Sequence, residues 1–208
     1  MTPGSDFVDL AFPADGESVP LDHAYPLFGA LSRALPRLHE EPAWGVHPIL
    51  GQRTGPGVLE LQHNSYVKLR VPLDAIGDAL ALTGTRLDLD GHEIRLGAPR
   101  VFKLVPSVSL GARIVIIKGF QEPEGFLDAV RRQVVATPGL GQDPERVEVS
   151  VGPRRVARIK DSVVVGFAIA VGSLDASASI ALQRRGLGGR RHFGAGLLVP
   201  PPRRIPHG

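Results

Sequence analysis

The order of strand-like and helix-like patterns along the chain limits its fold more than any other feature. An alternating apolar run at Phe7–Phe12 predicts a strand that ends at Pro13. A helix is predicted after an N-cap at Asp22. It is expected to end at Pro36, because a proline in the interior of a helix removes a backbone hydrogen bond. The elements predicted next are, in order, strands at residues 44–50 and 58–71, a helix at residues 73–82 and a hairpin around residues 90–91.

A second succession of the same kind follows. It consists of strand-like residues 100–105 and 112–118, a helix at residues 123–135, and strand-like residues 154–160 and 163–171. Ser173 is the expected N-cap of a short helix that ends at Gly186, and a last strand is predicted at residues 193–199. Strand, helix, strands, helix, strand is the split order of a ferredoxin-like unit. The sequence therefore predicts the α+β class with tandem ferredoxin-like (RRM-like) βαββαβ units at residues 1–98 and 99–199, the second one irregular, and a flexible tail at residues 200–208.

Basic residues are concentrated in the second half of the chain. Residues 1–99 carry 7 Lys and Arg against 13 Asp and Glu, whereas residues 100–208 carry 17 against 8. Of the 24 basic residues 20 are Arg, whose planar guanidinium can hold a phosphate with two parallel hydrogen bonds. A GC-rich genome also favours Arg over Lys, but it explains the asymmetry between the halves less well. We therefore expect a polyanionic partner.

The absence of cysteine and of long apolar runs excludes several classes of protein. Without Cys the chain has no disulfide, thiolate zinc site, iron–sulfur cluster or cysteine nucleophile. Its N-terminal residues 1–16 include acids and lack both a basic start and a long apolar run, and no later stretch is long enough to cross a bilayer. We expect a soluble, cytoplasmic protein without a membrane partner.

The most specific motif is GLGGRRHFGAG, residues 186–196. Glycine adopts positive φ and lets a backbone approach phosphate oxygens closely, so that the amides of such a segment can form an anion nest. A glycine-rich run can also be a hairpin turn or a nucleotide loop, but a dinucleotide loop lies between an early strand and a helix, whereas this segment leads into a strand near the C-terminus. The motif predicts a site for an RNA backbone formed by Gly186, Gly188, Gly194 and Gly196 with Arg184, Arg185, Arg190, Arg191 and His192.

The spacing of this motif, with two Gly-x-Gly triplets separated by five residues, resembles the glycine-rich loop of the CRISPR repeat-processing endoribonucleases, the sixth family of CRISPR-associated proteins. Three further segments are similar to that family and follow its order. LDHAYPLFGALSRALPRLH with WGVHPI resembles its first helix and next strand, KGFQEPEGFLDAVRRQ resembles a segment that grips a repeat hairpin, and RRVARIKDSVVVGFAIAV resembles the strand pair before the glycine loop. In detail the chain looks closest to the branch that accompanies Myxococcus-type systems.

The resemblance implies an endoribonuclease that binds CRISPR repeat RNA, as precursor and as mature guide, and cuts it with no metal and no other cofactor. The 2′-hydroxyl attacks the adjacent phosphate, which leaves a 2′,3′-cyclic phosphate and a 5′-hydroxyl. The protein must remove one proton, supply another and stabilise the charge on the phosphate. Other subunits of a CRISPR effector complex are further partners that the resemblance implies.

The family keeps its catalytic base around the first helix, and His suits proton transfer near neutral pH. His39, just past the end of this helix, is the first choice, because a helix C-terminus favours the imidazolium that can serve the leaving oxygen or the phosphate. His23, at the N-terminus, where the neutral proton acceptor is favoured, is the second. His47 in the next strand and Tyr25, which would orient the 2′-hydroxyl as a Tyr does in relatives, complete the set. In one branch the catalytic His aligns with Ser32, so the identity of the base stays open.

The same resemblance adds four residues to the predicted RNA contacts: Lys118, Arg131, Arg132 and Lys160. Arg131 and Arg132 are about 100° apart on a helix, so one at most faces a given groove wall. Because the major groove of RNA is deep and narrow, such a helix reads hairpin shape and phosphates rather than sequence.

Two other classes of protein fit parts of the pattern. The same fold could be a catalytically inactive repeat-RNA-binding subunit of a CRISPR effector complex, which would share every binding residue. A small-molecule enzyme with a ferredoxin-like fold is less well supported, because the sequence has no metal-ligand spacing, Ser-His-Asp arrangement or nucleotide fingerprint.

Overall fold

The computed structural model describes residues 6–140, 143–160 and 162–202. Residues 203–208, most of the predicted tail, lie outside these described residues. The strands are β1 (Phe7–Asp15), β2 (Ser18–Pro20), β3 (Gly45–Val46), β4 (Gln52–Gly55), β5 (Val58–Glu60), β6 (Tyr66–Pro72), β7 (Arg86–Leu89), β8 (His92–Leu96), β9 (Arg100–Lys103), β10 (Leu110–Val115), β11 (Glu148–Ile159) and β12 (Ser162–Gly172). The α-helices are α1 (Ala24–Ala34), α2 (Arg37–Glu40), α3 (Ile76–Ala79), α4 (Pro123–Val135) and α5 (Ala176–Arg185), and 3₁₀ turns occupy Leu73–Ala75, Leu80–Leu82, Pro144–Arg146 and Arg191–Phe193.

The chain divides into two compact units, each with its own hydrophobic core. The first unit contains Met1–Leu104, Ala157–Val164 and Arg190–Gly194, and the second contains Val105–Val156, Val165–Gly189 and Ala195–Gly208. The centre of the glycine-rich segment therefore belongs to the unit that also contains α1.

The first unit is built on an antiparallel sheet with β1 at its centre. β1 pairs with β6 on one side and with β9 on the other, and β3 pairs with the far side of β6. The order β3-β6-β1-β9, with α1 after β1 and the helical residues 73–82 after β6, is the ferredoxin-like arrangement. β8 pairs with the end of β1 and with β7, as the predicted hairpin requires. β9 belongs to the first unit, although its residues follow the predicted boundary at residues 98/99. A local strand pattern does not show which strand will be the partner of an edge strand.

Apolar residues of β1 and α1 form the centre of this unit. Val8, Leu10 and Phe12 on β1 and Leu27 and Leu31 on α1 are at most 2% exposed and belong to one cluster. Burying each such side chain contributes roughly 1.5–3 kcal/mol, so the position of α1 on this unit is strongly fixed.

The second unit repeats the arrangement less regularly. β10, β12 and β11 form an antiparallel sheet in that order, with α4 after β10 and α5 after β12. An isolated bridge between Gly111 and Val199 takes the place of a fourth strand. The predicted strand at residues 193–199 is wrong, because Gly194 and Gly196 have φ of 76° and 71°, outside the range of a strand. The prediction of the α+β class with tandem ferredoxin-like units, the second irregular, is confirmed. No helix among the described residues has the length and apolar character needed to span a bilayer.

Two element ends in the first unit differ from the prediction. β1 continues through Pro13 to Asp15, because Pro13 takes part through its carbonyl, which accepts a hydrogen bond from Gly97 N at 2.9 Å. The N-cap of α1 is His23 rather than Asp22. Local sequence did not indicate this cap, because His is not among the preferred N-cap residues. Its side chain caps no helix amide and binds the carbonyl of Pro20 instead.

The second unit shows one exact agreement and one correction. α4 has the predicted bounds. α5 is capped by Asp175, whose carboxylate accepts a hydrogen bond from Ala178 N at 2.7 Å, and not by Ser173. Ser173 has a left-handed backbone, with φ of 57°, and its hydroxyl donates to Glu148 at 3.0 Å.

In the first unit, the strand predicted at residues 44–50 is shorter in the structure, where only the two residues of β3 are in a strand.

Candidate functional site

A cluster of five rings on the first unit joins residues that are far apart in sequence. Phe28 on α1 stacks on the imidazole of His192, with ring centroids 4.9 Å apart, and on that of His39, at 5.8 Å. Phe193 meets Phe28 edge-on at 4.9 Å, and Tyr25 stacks on Phe193 at 6.2 Å. We call these five residues the Phe28 cluster. It places the first catalytic candidate, His39, and a residue of the glycine-rich segment, His192, against the same aromatic ring.

The local sequence explains how α1 and α2 supply one side of the cluster. Phe28 lies on the buried face of the amphipathic helix α1, and Tyr25 precedes it by three residues on the same side. Pro36 is the N-cap of α2, where the lack of an N–H has no cost. Leu38 is fully buried and fixes this short helix, so that the next residue, His39, is exposed beside Phe28.

The other side of the cluster is a 3₁₀ turn with a left-handed residue at each end. Arg190 precedes the turn with φ of 66°, and Gly194 follows it with φ of 76°. The backbone angle at Gly194 favours glycine, and a Cβ there would make a tight contact with Pro48 at 3.2 Å. A left-handed backbone at Arg190 costs about 1–2 kcal/mol. The glycine-rich segment therefore holds residues 191–193 in a specific, partly strained turn.

The hydrogen bond of His192 fixes its tautomer. Nε2 lies 2.9 Å from the carbonyl oxygen of Glu41, and because a carbonyl only accepts, Nε2 carries the proton and donates. Nδ1 of the neutral ring is then a proton acceptor, and it has no hydrogen-bond partner among the described residues. Burial lowers the pKa of His192, the bond to Glu41 opposes this, and the charges of His39 and Arg191 lower it further. The neutral form is therefore favoured near neutral pH.

His39 has a different environment. Its side chain is exposed, and neither ring nitrogen has a hydrogen-bond partner in the described part of the chain. Its ring stacks on Phe28. His39 is thus accessible to a ligand and stacks on the same ring as His192.

His23 is buried and both of its ring nitrogens bind the backbone. Nδ1 donates to the carbonyl of Pro20 at 2.9 Å, and Nε2 accepts from Ile49 N at 2.9 Å. The side chain is only 3% exposed. This arrangement gives His23 a structural role in joining two loops, and it argues against the predicted proton transfer.

His47 is also buried, beside a carboxylate. Its Nε2 lies 3.4 Å from Oδ1 of Asp9, too far for a good hydrogen bond but close enough for electrostatic attraction. Burial lowers the pKa of His47, against the attraction of Asp9, and the positive charges of Arg70 and Lys68 add to the decrease. The neutral form of His47 is therefore favoured, and the residue lies inside the fold.

Asp9, Arg70 and Arg191 form a buried charged cluster beneath the turn. Asp9 and Arg70 face each other on β1 and β6, and Arg70 donates Nε to Oδ1 at 2.8 Å and Nη2 to Oδ2 at 3.1 Å. Burial raises the pKa of the Asp9 carboxyl, but its interactions with His47 and Arg70 outweigh this effect and hold the pKa well below its usual range. Burial and the charge of Arg70 lower the pKa of Arg191 to about 10, against the attraction of Asp9. Arg191 therefore remains cationic and is drawn towards Asp9, which helps to fix the turn.

The backbone amides of the glycine-rich segment are used inside the fold. Gly188 N donates to Gln133 Oε1 at 2.7 Å, and Gly196 N donates to the carbonyl of Ile114 at 2.8 Å. The N–H groups of Gly186 and Gly194 donate to carbonyls as well. These bonds argue against the predicted anion nest. The glycines are needed for space, since a Cβ on Gly196 would lie 1.9 Å from the carbonyl oxygen of Leu187.

Most of the other predicted RNA contacts lie in the second unit. Lys118, Arg131, Arg132 and Arg185 are exposed there, and Arg184 is half-buried. Arg132 lies over the ring of Phe120 at 5.6 Å, and Arg185 donates to the carbonyl of Ala136 at the end of α4. Gln133 of α4 also accepts a hydrogen bond from Gly188 N, so α4 and the residues that directly follow α5 are in contact. Lys160 belongs to the first unit, where it is exposed with φ of 54° after β11.

Sequence reasoning missed the aromatic ring and the buried charges. Phe28 had only the signal of an apolar helix position, and nothing indicated that Phe193 would meet it. Asp9 and Arg70 carried a better signal, since each is a charged residue within a strand that is otherwise largely apolar. Among the described residues, no three His, Asp or Glu side chains are grouped so that they could hold a metal ion.

Comparisons with known proteins identify the family. The model of the family described as Cas6 Crispr matches residues 8–203. The chain is 42% identical over 197 residues, 95% of its own length and 83% of the relative's, to the CRISPR-associated endonuclease Cas6 of Myxococcus xanthus (strain DK1622). Two solved structures share the fold at low identity. "An RAMP protein binding different RNA substrates" has a TM-score of 0.67 at 12% identity, covering 93% of this chain and 98% of that one. A Cas6-related protein from Pyrococcus furiosus has a TM-score of 0.62 at 14% identity, covering 94% and 98%.

The family model and the Myxococcus relative both extend over almost the whole chain, and they agree with the family that its glycine-rich motif and first helix resemble. The chain belongs to the Cas6 family.

Proposed function

We propose that this chain is an endoribonuclease that binds CRISPR repeat RNA and cuts precursor CRISPR RNA into guide RNAs. The cut is a transesterification without a metal, in which the 2′-hydroxyl attacks the adjacent phosphate. Its products are a 2′,3′-cyclic phosphate and a 5′-hydroxyl. The observation that carries the proposal is the pair of imidazoles, His39 and His192, held on one aromatic ring in a chain 42% identical to a Cas6 endonuclease.

His39 is the residue that we assign to the leaving group. Its ring is exposed and its nitrogens make no hydrogen bond to the described residues, so a bound phosphodiester can reach it. In the imidazolium form it donates a proton to the 5′-oxygen as the P–O bond breaks. Tyr25 stands on the same face of α1 as Phe28, where its hydroxyl would orient the ribose.

RNA binding is assigned to the exposed basic residues. In the second unit these are the Arg and Lys side chains of α4, of the turn before it and of the end of α5, and in the first unit they are Arg190 and Lys160. Arg side chains bind phosphates in pairs of hydrogen bonds and give binding that weakens as salt rises. Arg190 supports this assignment, because an exposed arginine has no packing reason to adopt a left-handed backbone. Cytoplasmic location and contact with other effector subunits are also part of the proposal.

The test uses end-labelled repeat RNA incubated with the purified full chain in excess EDTA. We expect one cut, a product that ends in a 2′,3′-cyclic phosphate, and no cut when a single 2′-deoxynucleotide replaces the ribose at the cleavage site. Cleavage that EDTA abolishes, or that proceeds on the 2′-deoxy substrate, would refute the mechanism.

A matched pair of variants separates catalysis from binding. His39→Gln should lower the cleavage rate at saturating RNA by about 100-fold or more, with little change in affinity for the 2′-deoxy RNA. His63→Gln, an exposed histidine of the same unit outside the Phe28 cluster, is the control and should cleave normally. If the wild type binds repeat RNA tightly and never cuts it, the chain is instead an RNA-binding subunit.

A further inference from the structure

We propose that His192 is a catalytic residue whose Nδ1 accepts the proton of the attacking 2′-hydroxyl. This inference rests on the proposed function and assigns the general base that it leaves open. Sequence reasoning placed His192 among the residues that bind the RNA backbone, and His23 as the candidate for a neutral proton acceptor.

The first support is the hydrogen bond that orients the ring. Because Glu41 offers a carbonyl oxygen at 2.9 Å, the neutral imidazole of His192 is held as the Nε2–H tautomer. Its lone pair is then on Nδ1, which has no hydrogen-bond partner among the described residues and is not one of the buried atoms that lack one. A base oriented by a second group, with its basic atom accessible, is the arrangement that general base catalysis needs.

The second support is the contrast with the other histidines of the first unit. In His23 both nitrogens bind the backbone, and the side chain of His47 is only 10% exposed. Both side chains are therefore largely enclosed by the fold. Of the histidines that the ring contacts bring together, His192 and His39 remain, and both stack on Phe28, at 4.9 and 5.8 Å; His63 and His92 of the same unit make no ring contact with Phe28 among the described residues. The geometry thus selects one pair of imidazoles.

The third support is electrostatic. The charged groups that act on His192 are His39 on α2 and Arg191 on its own turn, and both disfavour a second positive charge. Burial is the largest cause, acts in the same direction and lowers the pKa of His192, so the neutral ring is favoured near neutral pH. An acid–base pair needs one group that accepts a proton and one that donates it, and a neutral His192 serves as the first.

The step balances as follows. The O–H bond of the 2′-hydroxyl breaks and its proton moves to Nδ1 of His192, while the 2′-oxygen forms a bond to phosphorus. The bond from phosphorus to the 5′-oxygen breaks, and the 5′-oxygen takes a proton from His39. The products are the 2′,3′-cyclic phosphate and the 5′-hydroxyl, with His192 protonated and His39 neutral.

The test is His192→Gln, since the Nε2 amide of Gln can keep the hydrogen bond to Glu41 but offers no base. We expect the single-turnover rate at saturating RNA to fall by about 100-fold or more, while affinity for 2′-deoxy repeat RNA changes less than about 3-fold. The wild-type rate should rise with pH with a midpoint below the ordinary value for His, and this rise should be absent in the variant. His192→Ala should regain activity when imidazole is added. His63→Gln is the control.

Each outcome distinguishes this inference from the proposed function. If the wild type cuts repeat RNA and His192→Gln cuts it at the same rate, His192 is not the base and the proposed function stands. Loss of affinity in parallel with rate would mean that His192 binds phosphate, and would also overturn the inference. If the wild type does not cut at any pH, the proposed function fails and this inference fails with it. Nitrogen NMR of the apo protein gives a check without RNA, since an Nδ1–H tautomer for His192 would contradict the structure.

Discussion

Replacing Asp9 by Asn should destabilise the first unit much more than its small change in shape suggests. Arg70 is 1% exposed and donates two hydrogen bonds to the Asp9 carboxylate, at 2.8 and 3.1 Å. Asn keeps one acceptor and loses the charge, which leaves a guanidinium buried without its counter-charge. Breaking a buried ion pair by removing one partner costs about 3–5 kcal/mol. With a urea slope of about 2 kcal/mol per molar, the unfolding midpoint should fall by about 2 M.

The single Trp of the chain makes this measurement specific to the first unit. Trp44 is 1% exposed and belongs to the core cluster of that unit, so its fluorescence in urea reports the unfolding of the unit that contains Asp9. Glu93→Gln is the matched control. Glu93 pairs with Arg86 at 2.8 Å on the same unit, but the two side chains are 63% and 69% exposed, and such surface pairs contribute about 0–1 kcal/mol. Equal losses for the two variants would refute the reasoning.

The pH dependence of the difference between wild type and Asp9→Asn gives a second check. The folded pKa of Asp9 lies well below its usual value, so folding favours the carboxylate and this stabilisation is present above the unfolded pKa of about 4. It should be constant at neutral pH and shrink steadily as the pH falls below 4 towards the folded pKa. A difference that grows on acidification would show that the carboxylate is not stabilised by Arg70 and His47.

Three further predictions concern the glycine-rich segment, His23 and Arg131 on α4. Gly196→Ala should lower the free energy of unfolding of the second unit by about 3 kcal/mol or more, because its Cβ would clash with the carbonyl of Leu187. Gly119→Ala is the control, since that position has φ of 87° and open space, and it should cost about 1–2 kcal/mol. Circular dichroism in urea measures both. His23→Ala should lower the free energy of unfolding of the first unit by about 2 kcal/mol or more, because it leaves the buried Ile49 amide without its hydrogen bond. The folded fraction should still cleave RNA at nearly the wild-type rate. A loss of rate of about 100-fold would restore His23 as a catalytic candidate. Arg131→Gln should weaken RNA binding and lower the slope of log affinity against log salt by about 1, with no change in cleavage rate at saturation, and an unchanged slope would remove Arg131 from the interface.

Local patterns were enough for the elements and their order but not for the pairing of the chain ends. The helix α4, the hairpin β7–β8 and the end of α5 at Gly186 lie where periodicity and turn residues placed them. The strand predicted after residue 193 fails, since an apolar run says nothing about the carbonyls that will receive its amides. The unit to which β9 and residues 190–194 belong depends on partners more than 80 residues away along the chain. Sequence spacing carries no such information.

The candidate site shows the same limit in a sharper form. Histidines near the first helix could be named from the sequence, but their roles depend on which atoms the fold occupies. His23 is used by Pro20 and Ile49, and that contact requires two loops to meet. His192 was assigned to RNA binding because it stands between basic residues in a glycine-rich motif. Only the carbonyl of Glu41, which is 151 positions earlier, gives its ring a defined tautomer.

The glycine motif itself has a different meaning once its amides are followed. In the sequence it looks like a phosphate nest, because glycines expose N–H groups. In the fold the N–H groups of Gly186, Gly188, Gly194 and Gly196 donate hydrogen bonds to the carbonyl of Leu182, the side chain of Gln133 and the carbonyls of Arg191 and Ile114. A Cβ on Gly188 or Gly196 would clash with a backbone carbonyl. The glycines thus fix a tight path on both sides of residues 190–193, and what this path presents is side chains. Because the segment places His192 against Phe28 and leaves Arg190 exposed, we expect substitutions of these two side chains to affect activity more specifically than substitutions of the glycines, which should first affect folding.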